Sequence, residues 1–206
     1  HMHTRFSYDS EVDPVRLVAR CEKTGLNCIA VTDHNTIDGA LEVQRLASFM
    51  VIIGEEVGSA SGEITGLFLR EAIPQGLSPL ETVERIKDQG GLVSIPHPFD
   101  RFRREVIHPD ALDEILSYVD VIEVFNSRNN LNADNRMAQE FAERHGLLSS
   151  AVSDAHTTFE LGRTYVEMPE FDGTTEGFKV ALAHGTIVAR QTSPLIHVIT
   201  TLTKFK

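Results

Sequence analysis

The sequence predicts an α/β fold with mainly parallel strands, numerous enough to close a barrel. The chain of 206 residues is 41% hydrophobic and 24% charged, an ordinary globular composition that suffices for one sizeable core. Short apolar runs alternate with segments of helical period, which is the order of β-α-β units. Roughly seven or eight strands, about what a closed barrel requires, can be placed in this way. We therefore predict a single domain over residues 1–206.

Each element follows from its own local signals. Pro14 suits the first turn of a helix that Gly25 ends, and Ser78 with Glu81 forms a capping box at the start of another helix. The predicted elements, in order, are helix 13–24, strand 27–32, helix 40–47, strand 50–53, strand 63–69, helix 78–89, a strand ending at His97, helix 110–118, strand 121–125, helix 133–145, a strand ending at Asp154, strand 164–168, helix 175–184 and strand 186–189.

Imidazole and carboxylate side chains recur where the apolar runs end. The runs close on Thr32-Asp33-His34, Gly54-Glu55-Glu56, His97-Pro98 and Asp154-Ala155-His156. The C-terminal ends of parallel strands are where α/β folds place their chemistry. A related pattern opens the chain, because His1 and His3 point the same way in an extended backbone and Asp9 returns from the following loop. His-Met at the start of a chain is also what a cloning scar leaves, so His1 has two possible origins.

The number of such positions favours a metal site. A single strand-end histidine, such as His97, is more often structural than functional. Five of the nine histidines fall at predicted strand ends, however, and Asp154-x-His156 repeats the spacing of His1-x-His3. Mixed imidazole and carboxylate ligands suit Zn, Mn or Fe better than a calcium or thiolate site.

Charge and cysteine content limit the partners. A formal net charge of -11 argues against an extended nucleic-acid surface or an anionic membrane. It leaves room for a phosphate in a small cleft where divalent ions dominate the local field. Cys21 and Cys28 are too few for a disulfide scaffold, and no apolar run reaches the roughly 18 residues of a membrane span. We therefore expect a reduced, cytoplasmic setting.

The ordered motifs His1-x-His3, Thr32-Asp33-His34, Gly54-x-Glu56, His97-Pro98 and Asp154-x-His156 resemble the PHP family, the polymerase and histidinol phosphatase metal-dependent phosphoesterases. The resemblance extends to about Arg163. It implies a distorted seven-stranded (β/α) barrel, related to the TIM barrel, with about two or three divalent ions (Mn, Fe or Zn) at the C-terminal face of its strands. The metal ligands it implies are His1, His3, Asp9, His34, Glu56, His97, Asp154 and His156. Glu56 is chosen over Glu55 because the family's glutamate stands two places after the glycine.

Two positions depart from the family pattern. An Asp-x usually precedes the first histidine, and the sequence shows none, so the first strand is expected to be short or to begin before His1. Some members also place a histidine in the loop that here spans residues 126–130, where Asn129 stands. A third metal position therefore lacks one expected ligand.

This ligand set supports phosphoester hydrolysis. Two neighbouring ions can bind a water, lower its pKa and hold phosphoryl oxygens for attack. Arg101, Arg128 and Arg163 could bind the remaining oxygens, and His34 or Asp154 could act as general acid or base. We expect a metal-dependent phosphoesterase that acts on a small phosphorylated substrate, either a phosphomonoester or a nucleotide. The alternatives are a non-catalytic metal-binding module and C–N hydrolysis in the manner of amidohydrolase barrels, although the arginine-bearing loop favours phosphate.

Overall fold

Six strands form one curled sheet in this computed structural model, which describes residues 1–191. Residues 192–206, which belong to the predicted domain, lie outside the described part. The strands follow one another across the sheet in chain order. They are β1 (Cys28–Val31), β2 (Met50–Ser59), β3 (Gly62–Leu67), β4 (Leu92–Ile95), β5 (Val121–Asn126) and β6 (Leu148–Val152).

The helices confirm the predicted helical segments to within about two residues, the usual uncertainty of helix ends. They are α1 (Pro14–Thr24), α2 (Asp38–Leu46), α3 (Pro79–Asp88), α4 (Pro109–Ile115), α5 (Asn132–His145) and α6 (Thr175–Ala183), with a short 3-10 turn at Leu116–Tyr118. The capping box is present: Ser78 Oγ accepts from the Glu81 amide at 3.2 Å, and Glu81 Oε2 accepts from the Ser78 amide at 3.0 Å. Of the helices that the structure describes, none has the length and apolarity to cross a bilayer.

The prediction that the strands run parallel is wrong in part. Strand β3 runs antiparallel to both β2 and β4, because only two residues separate β2 from β3. A connection that short makes a hairpin, whereas a parallel crossover takes about a dozen residues or more. The last two strands, β7 (Tyr165–Glu167) and β8 (Thr186–Val188), pair with each other in a separate antiparallel sheet and do not extend the main one.

The N-terminal residues lie between the ends of β1 and β6. Met2 forms a parallel bridge with Ala155, and its carbonyl accepts from the Thr32 amide at 3.0 Å. His1 and His3 flank Met2 and point to the other side of this short extended segment. This extended segment, which forms an isolated bridge and no named strand, thus delivers two imidazoles to the edge where β1 and β6 end.

A buried carboxylate ties the following loop to the same edge. Asp33 Oδ1 accepts from the Thr4 amide at 2.6 Å and from Ser7 Oγ at 2.7 Å, while its Oδ2 accepts from Thr4 Oγ1 at 2.7 Å. Asp33 is fully buried, so loss of these bonds would leave an unsatisfied charge in the interior. Asp33 therefore positions the loop that carries Asp9.

Replacing Gly39 with Ala should destabilise the fold through Asp33. A Cβ at Gly39 would lie 1.9 Å from Asp33 Oδ2 and 2.4 Å from Thr4 Oγ1. This clash outweighs the better helix propensity of Ala, so we expect Gly39→Ala to lower the free energy of unfolding by about 1–3 kcal/mol in urea denaturation. Gly58→Ala is the control, since its Cβ would meet Asn35 Oδ1 at an ordinary 3.4 Å. Wild-type stability of Gly39→Ala would contradict the tight packing around Asp33.

Candidate metal centre

The structure brings all eight predicted metal ligands together at one end of the curled sheet. His34, His97, Asp154 and His156 follow the ends of strands, whereas Glu56 lies within β2, which continues to Ser59. His1, His3 and Asp9 come from the N-terminal segment and its loop, ahead of β1. The side chains of all eight are buried or nearly so. Groups of their nitrogen and oxygen atoms lie within 4.8 Å of one another.

Four atoms form a compact first cluster: His1 Nε2, His3 Nε2, Glu56 Oε2 and Asp154 Oδ1. His1 Nε2 lies 3.0 Å from His3 Nε2, 3.1 Å from Glu56 Oε2 and 3.5 Å from Asp154 Oδ1. His3 Nε2 lies 3.4 Å from each of the two carboxylate oxygens. Ligand atoms bonded at about 2.1 Å in a tetrahedron stand roughly 3.4 Å apart, so the distances of the two imidazole nitrogens from each other and from the carboxylate oxygens are close to those between neighbouring ligands of one ion.

Asp9, His34 and His156 form a second cluster beside it. Asp9 Oδ2 lies 3.2 Å from His156 Nε2 and 3.6 Å from His34 Nε2. His3 belongs to the same group of candidate ligands, so the two clusters adjoin. The other carboxylate oxygen of Glu56, Oε1, lies 3.1 Å from His97 Nε2, so Glu56 also contacts this further predicted ligand.

Hydrogen bonds to the other ring nitrogen leave Nε2 of three histidines directed at the clusters. His1 Nδ1 donates to Glu123 Oε1 at 2.7 Å, and His156 Nδ1 donates to the Asp154 carbonyl at 2.9 Å. His3 Nδ1 lies 3.0 Å from Ser7 Oγ, whose own proton is directed to Asp33, so Ser7 accepts there. Metal-binding histidines almost always have such a partner on the second nitrogen, because it sets the tautomer.

The local charges suit cation binding. Burial alone would raise the pKa of Asp154, but Arg103 and His1 hold it well below its usual range, so the carboxylate is ionised. Burial, followed by the neighbouring His156 and His34, lowers the pKa of His3 to about 3, which keeps its imidazole in the neutral form that binds metals. Asp154 Oδ1 is buried and accepts no hydrogen bond from the described residues. A cation in the first cluster would satisfy that oxygen, so the donor set fits a metal ion.

Two of the predicted ligands have strained backbones. His97 has φ 31° and Asp154 has φ 48°, in the left-handed region that residues with a side chain seldom adopt. Such strain costs about 1–3 kcal/mol per residue and concentrates at functional sites. It turns both side chains into the cleft directly after β4 and β6.

The three arginines predicted to bind substrate occupy different surroundings. Arg101 donates to Asp134 Oδ1 on α5 through Nε at 3.0 Å and Nη2 at 2.8 Å. Arg128 is nearly buried, with Nη1 3.9 Å from Glu160 Oε1, and Arg163 is exposed. Substrate binding by these arginines remains a prediction.

Sequence reasoning missed three polar residues near the clusters. Arg103 donates from Nη2 to Asp154 Oδ2 and from Nε to Asp100 Oδ2 at 3.2 Å, so its guanidinium is the one that reaches the ligand set. Glu123 was passed over as part of an apolar strand, although a lone acid in a buried run is itself a signal. Glu63 follows no strand-end pattern, because it is the second residue of the antiparallel strand β3.

The loop at residues 126–130 does not direct Asn129 into the clusters. The Asn129 side chain is buried and donates from Nδ2 to Asn135 Oδ1 at 2.7 Å. Asn126 lies closer, since its Nδ2 donates to Glu123 Oε2 at 3.1 Å and to Asp154 Oδ2 at 3.2 Å. This loop therefore supports the ligands through an amide.

The curled α/β sheet carries several buried His, Asp and Glu side chains at one edge, and this arrangement is consistent with a site for more than one metal ion. A family model for the PHP-associated region matches residues 132–187. The uncharacterized protein MJ1587 of Methanocaldococcus jannaschii is 38% identical over 153 residues, which cover 67% of this chain and 86% of that protein. The chain belongs to the PHP family.

Solved structures share the fold at low sequence identity. An amidohydrolase from Chromobacterium violaceum, solved with sulfate and no metal, has a TM-score of 0.68 and 19% identity over 92% of this chain and 97% of that one. A proposed metal-dependent phosphoesterase from Bifidobacterium adolescentis has a TM-score of 0.64 and 17% identity, with 90% and 95% covered. Endonuclease Q in complex with a 27-mer duplex substrate has a TM-score of 0.65 and 17% identity, with 88% and 55% covered. At these identities the likeness concerns the fold.

Replacing Glu123 with Gln should weaken metal binding. Glu123 accepts from His1 Nδ1 at 2.7 Å and from the His97 amide at 3.0 Å, so it orients two predicted ligands. We expect Glu123→Gln to reduce metal affinity about 10- to 100-fold, the usual cost of losing such a supporting partner, in a competition titration against a chelator. Glu140→Gln, at an exposed position of α5, is the control. Equal affinities in the two variants would contradict the supporting role.

Proposed function

We propose that the protein is a metal-dependent phosphoesterase that hydrolyses a small phosphorylated substrate, a phosphomonoester or a nucleotide. The observation that carries this proposal is the pair of adjoining clusters, in which the imidazole nitrogens of His1 and His3 lie 3.1–3.5 Å from carboxylate oxygens of Glu56 and Asp154. Bound divalent ions supply an activated water and a clamp for phosphoryl oxygens. Mn, Fe or Zn suits such mixed ligands, and we propose about two or three ions per chain.

The chain's own residues would divide the remaining tasks. His1, His3, Glu56 and Asp154 would hold one ion, and Asp9, His34 and His156 a second. His34 lies at the junction, with Nε2 toward Asp9 and Nδ1 3.3 Å from Glu56 Oε2, so it could move a proton at the cleft. Asp154 could do the same through the oxygen that faces Arg103. Both keep the roles of general acid or base that the sequence predicts.

Arg103 is the strongest candidate for binding a phosphoryl oxygen. Its guanidinium is fixed by Asp100 and Asp154 at the edge of the first cluster, and the side chain is still 23% exposed. A planar guanidinium with several donors suits phosphate geometry, and fixing it in advance avoids an entropic cost on binding. Arg101, in contrast, forms an ion pair with Asp134 on α5.

The rival functions differ in what they require. C–N hydrolysis could use the same ions, and the C. violaceum amidohydrolase, which was solved with bound sulfate and no metal, makes it a candidate. The complex of endonuclease Q raises a duplex substrate as a candidate, although a net charge of -11 disfavours a long polyanion. A non-catalytic module would not need Arg103 beside the ligands.

We further propose a cytoplasmic protein without a membrane partner, whose first residues complete a distorted seven-stranded barrel.

A substrate panel tests the proposal directly. The protein would be stripped with a chelator, reloaded separately with Mn, Fe or Zn, and assayed against phosphomonoesters, nucleotides, cyclic amides and a duplex with an abasic site. We expect hydrolysis of a phosphomonoester or nucleotide that disappears with the chelator and returns with metal. Activity confined to the amides or to the duplex would overturn the assignment, and inactivity of the fully loaded protein on every substrate would favour the non-catalytic module.

Substitution of two arginines in one loop separates a substrate contact from a structural ion pair. We expect Arg103→Ala to lower kcat/KM about 10²- to 10³-fold, the scale seen when one preorganised donor to developing charge is lost, with the metal content unchanged. Arg101→Ala is the matched control, since Arg101 is bound to Asp134, and it should retain most of its activity. The reverse order of effects would restore Arg101 as the residue that binds phosphate.

A further inference from the structure

Tyr8 stands directly before Asp9, and its ring covers a neighbouring predicted ligand. The phenol ring is stacked on the imidazole of His34, with 4.9 Å between the ring centroids and 27° between the ring planes. The His34 side chain is only 9% exposed, whereas Tyr8 is 64% exposed. Tyr8 therefore lies where the second cluster meets solvent.

Three aromatic rings form a column from the interior to the surface. The buried imidazole of His3 is also stacked on His34, at 4.6 Å and 25°. Each face of an imidazole has room for one stacked ring, so His34 lies between His3 and Tyr8. Tyr8 is the outermost ring of this aromatic column. A flat group that adds to the column from solvent would therefore stack on Tyr8.

Exposed aromatic side chains concentrate on the loops that carry the predicted ligands. These loops lead to Asp9 or follow β4 and β6. Single exposed apolar side chains are ordinary on a protein surface, but aromatic side chains grouped around a cleft are typical of ligand sites. Within residues 1–191, the exposed phenylalanine and tyrosine side chains are Phe6, Tyr8, Phe102 and Phe159.

We propose that Tyr8 is a specificity residue of the candidate metal centre and that the substrate is a phosphate ester bearing a planar aromatic group, as in a nucleoside monophosphate. The phosphate would lie at the ions, and the planar group would stack on the ring of Tyr8. Water would cleave the P–O ester bond and release inorganic phosphate and the alcohol. The inference rests on the proposed function and selects nucleotides over aliphatic phosphomonoesters.

The charge and stiffness of the site favour this kind of substrate. A net charge of -11 disfavours a second anionic group on the substrate, and a neutral planar group avoids that repulsion. The ring of Tyr8 already packs against His34, so little side-chain freedom is lost when a ligand stacks on it. An aliphatic phosphomonoester would leave the exposed ring without a partner of matching shape.

Substrate preference in variants of one loop tests the proposal. Metal-loaded protein would be assayed on adenosine monophosphate, 4-nitrophenyl phosphate and ribose 5-phosphate. We expect Tyr8→Ala to lower kcat/KM for adenosine monophosphate about 5- to 100-fold, mainly through KM, the scale of one lost stacking contact. Metal content and kcat/KM for ribose 5-phosphate should stay at wild-type values. An equal loss on 4-nitrophenyl phosphate would show that any planar group suffices, whereas a loss on the nucleotide alone would identify a nucleoside.

Three further variants separate stacking from other roles. Tyr8→Phe keeps the ring and should keep the preference for the nucleotide. Tyr8→Leu keeps an apolar cover over His34 without a flat ring, so it should behave like Tyr8→Ala, and it replaces that variant if circular dichroism shows poor folding. Phe6→Ala is the matched control on the same loop, since the Phe6 ring contacts the Arg5 guanidinium, 5.6 Å from its centroid. It should match the wild type on every substrate.

Two results would overturn the proposal. An equal loss on adenosine monophosphate and ribose 5-phosphate in Tyr8→Ala would show that Tyr8 only supports His34. A loss in Tyr8→Phe as large as in Tyr8→Ala would assign the effect to the hydroxyl group.

Calorimetric titration of the same two ligands into metal-loaded protein separates this inference from the proposed function. Binding that prefers the nucleotide and depends on the Tyr8 ring, without hydrolysis of any substrate, would refute the phosphoesterase and retain the stacking role. Hydrolysis and binding with no preference between the two ligands would retain the phosphoesterase and refute the stacking role.

Discussion

Four carboxylates share one buried cleft, and the structure around them must compensate their charge. Asp9, Glu56, Glu63 and Asp154 are each at most 6% exposed. Moving a single unpaired carboxylate out of water costs several kcal/mol even after the protein relaxes. Imidazoles stand 3.1–3.6 Å from all four, and Arg103 contacts one of them. Although burial lowers the pKa of His34, Glu56 and Asp9 raise it to about 9, and burial with the adjacent Glu56 raises the pKa of Glu63 to about 9, so protons balance part of the negative charge in the metal-free cleft. Divalent cations could replace those protons.

The scaffold holds the ligands through bonds that span the sheet. Glu123 on β5 accepts from His1 at the N-terminal segment and from the backbone of His97 after β4, so it joins two separated parts of the chain. Asp33, which follows β1, holds the loop that carries Asp9 through its own hydrogen bonds. Positions fixed in this way do not have to be ordered when a ligand binds, which lowers the entropic cost of assembling the centre. The polar network therefore belongs to the candidate metal centre, since it holds the predicted ligands in place.

The sequence predicted the convergence of these side chains on one cleft better than it predicted the sheet. Strand-end residues such as His34, His97 and Asp154 could be identified because an apolar run followed by an imidazole or carboxylate is visible in one dimension. The direction of β3 could not be predicted from the sequence, since a short apolar run has the same pattern in parallel and antiparallel sheets. Glu63 was missed for that reason. Arg103 was missed because its approach to Asp154 depends on a turn at Asp100 to Arg103, whose geometry no spacing rule defines.

The register of β2 against β3 determines which acid of β2 faces the candidate metal centre. Adjacent acids Glu55 and Glu56 occupy opposite faces of β2, and a slip of one residue against β3 would exchange them. The register is held on the outer face by Val57 opposite Ile64, both fully buried. Close packing holds it elsewhere: a Cβ at Gly54 would come within 2.8 Å of the Thr32 side chain, and one at Gly66 within 3.0 Å of Leu69. On that outer face burial raises the pKa of Glu55 to about 7. The hydrophobic packing of one face thus decides which carboxylate reaches the metal centre on the other.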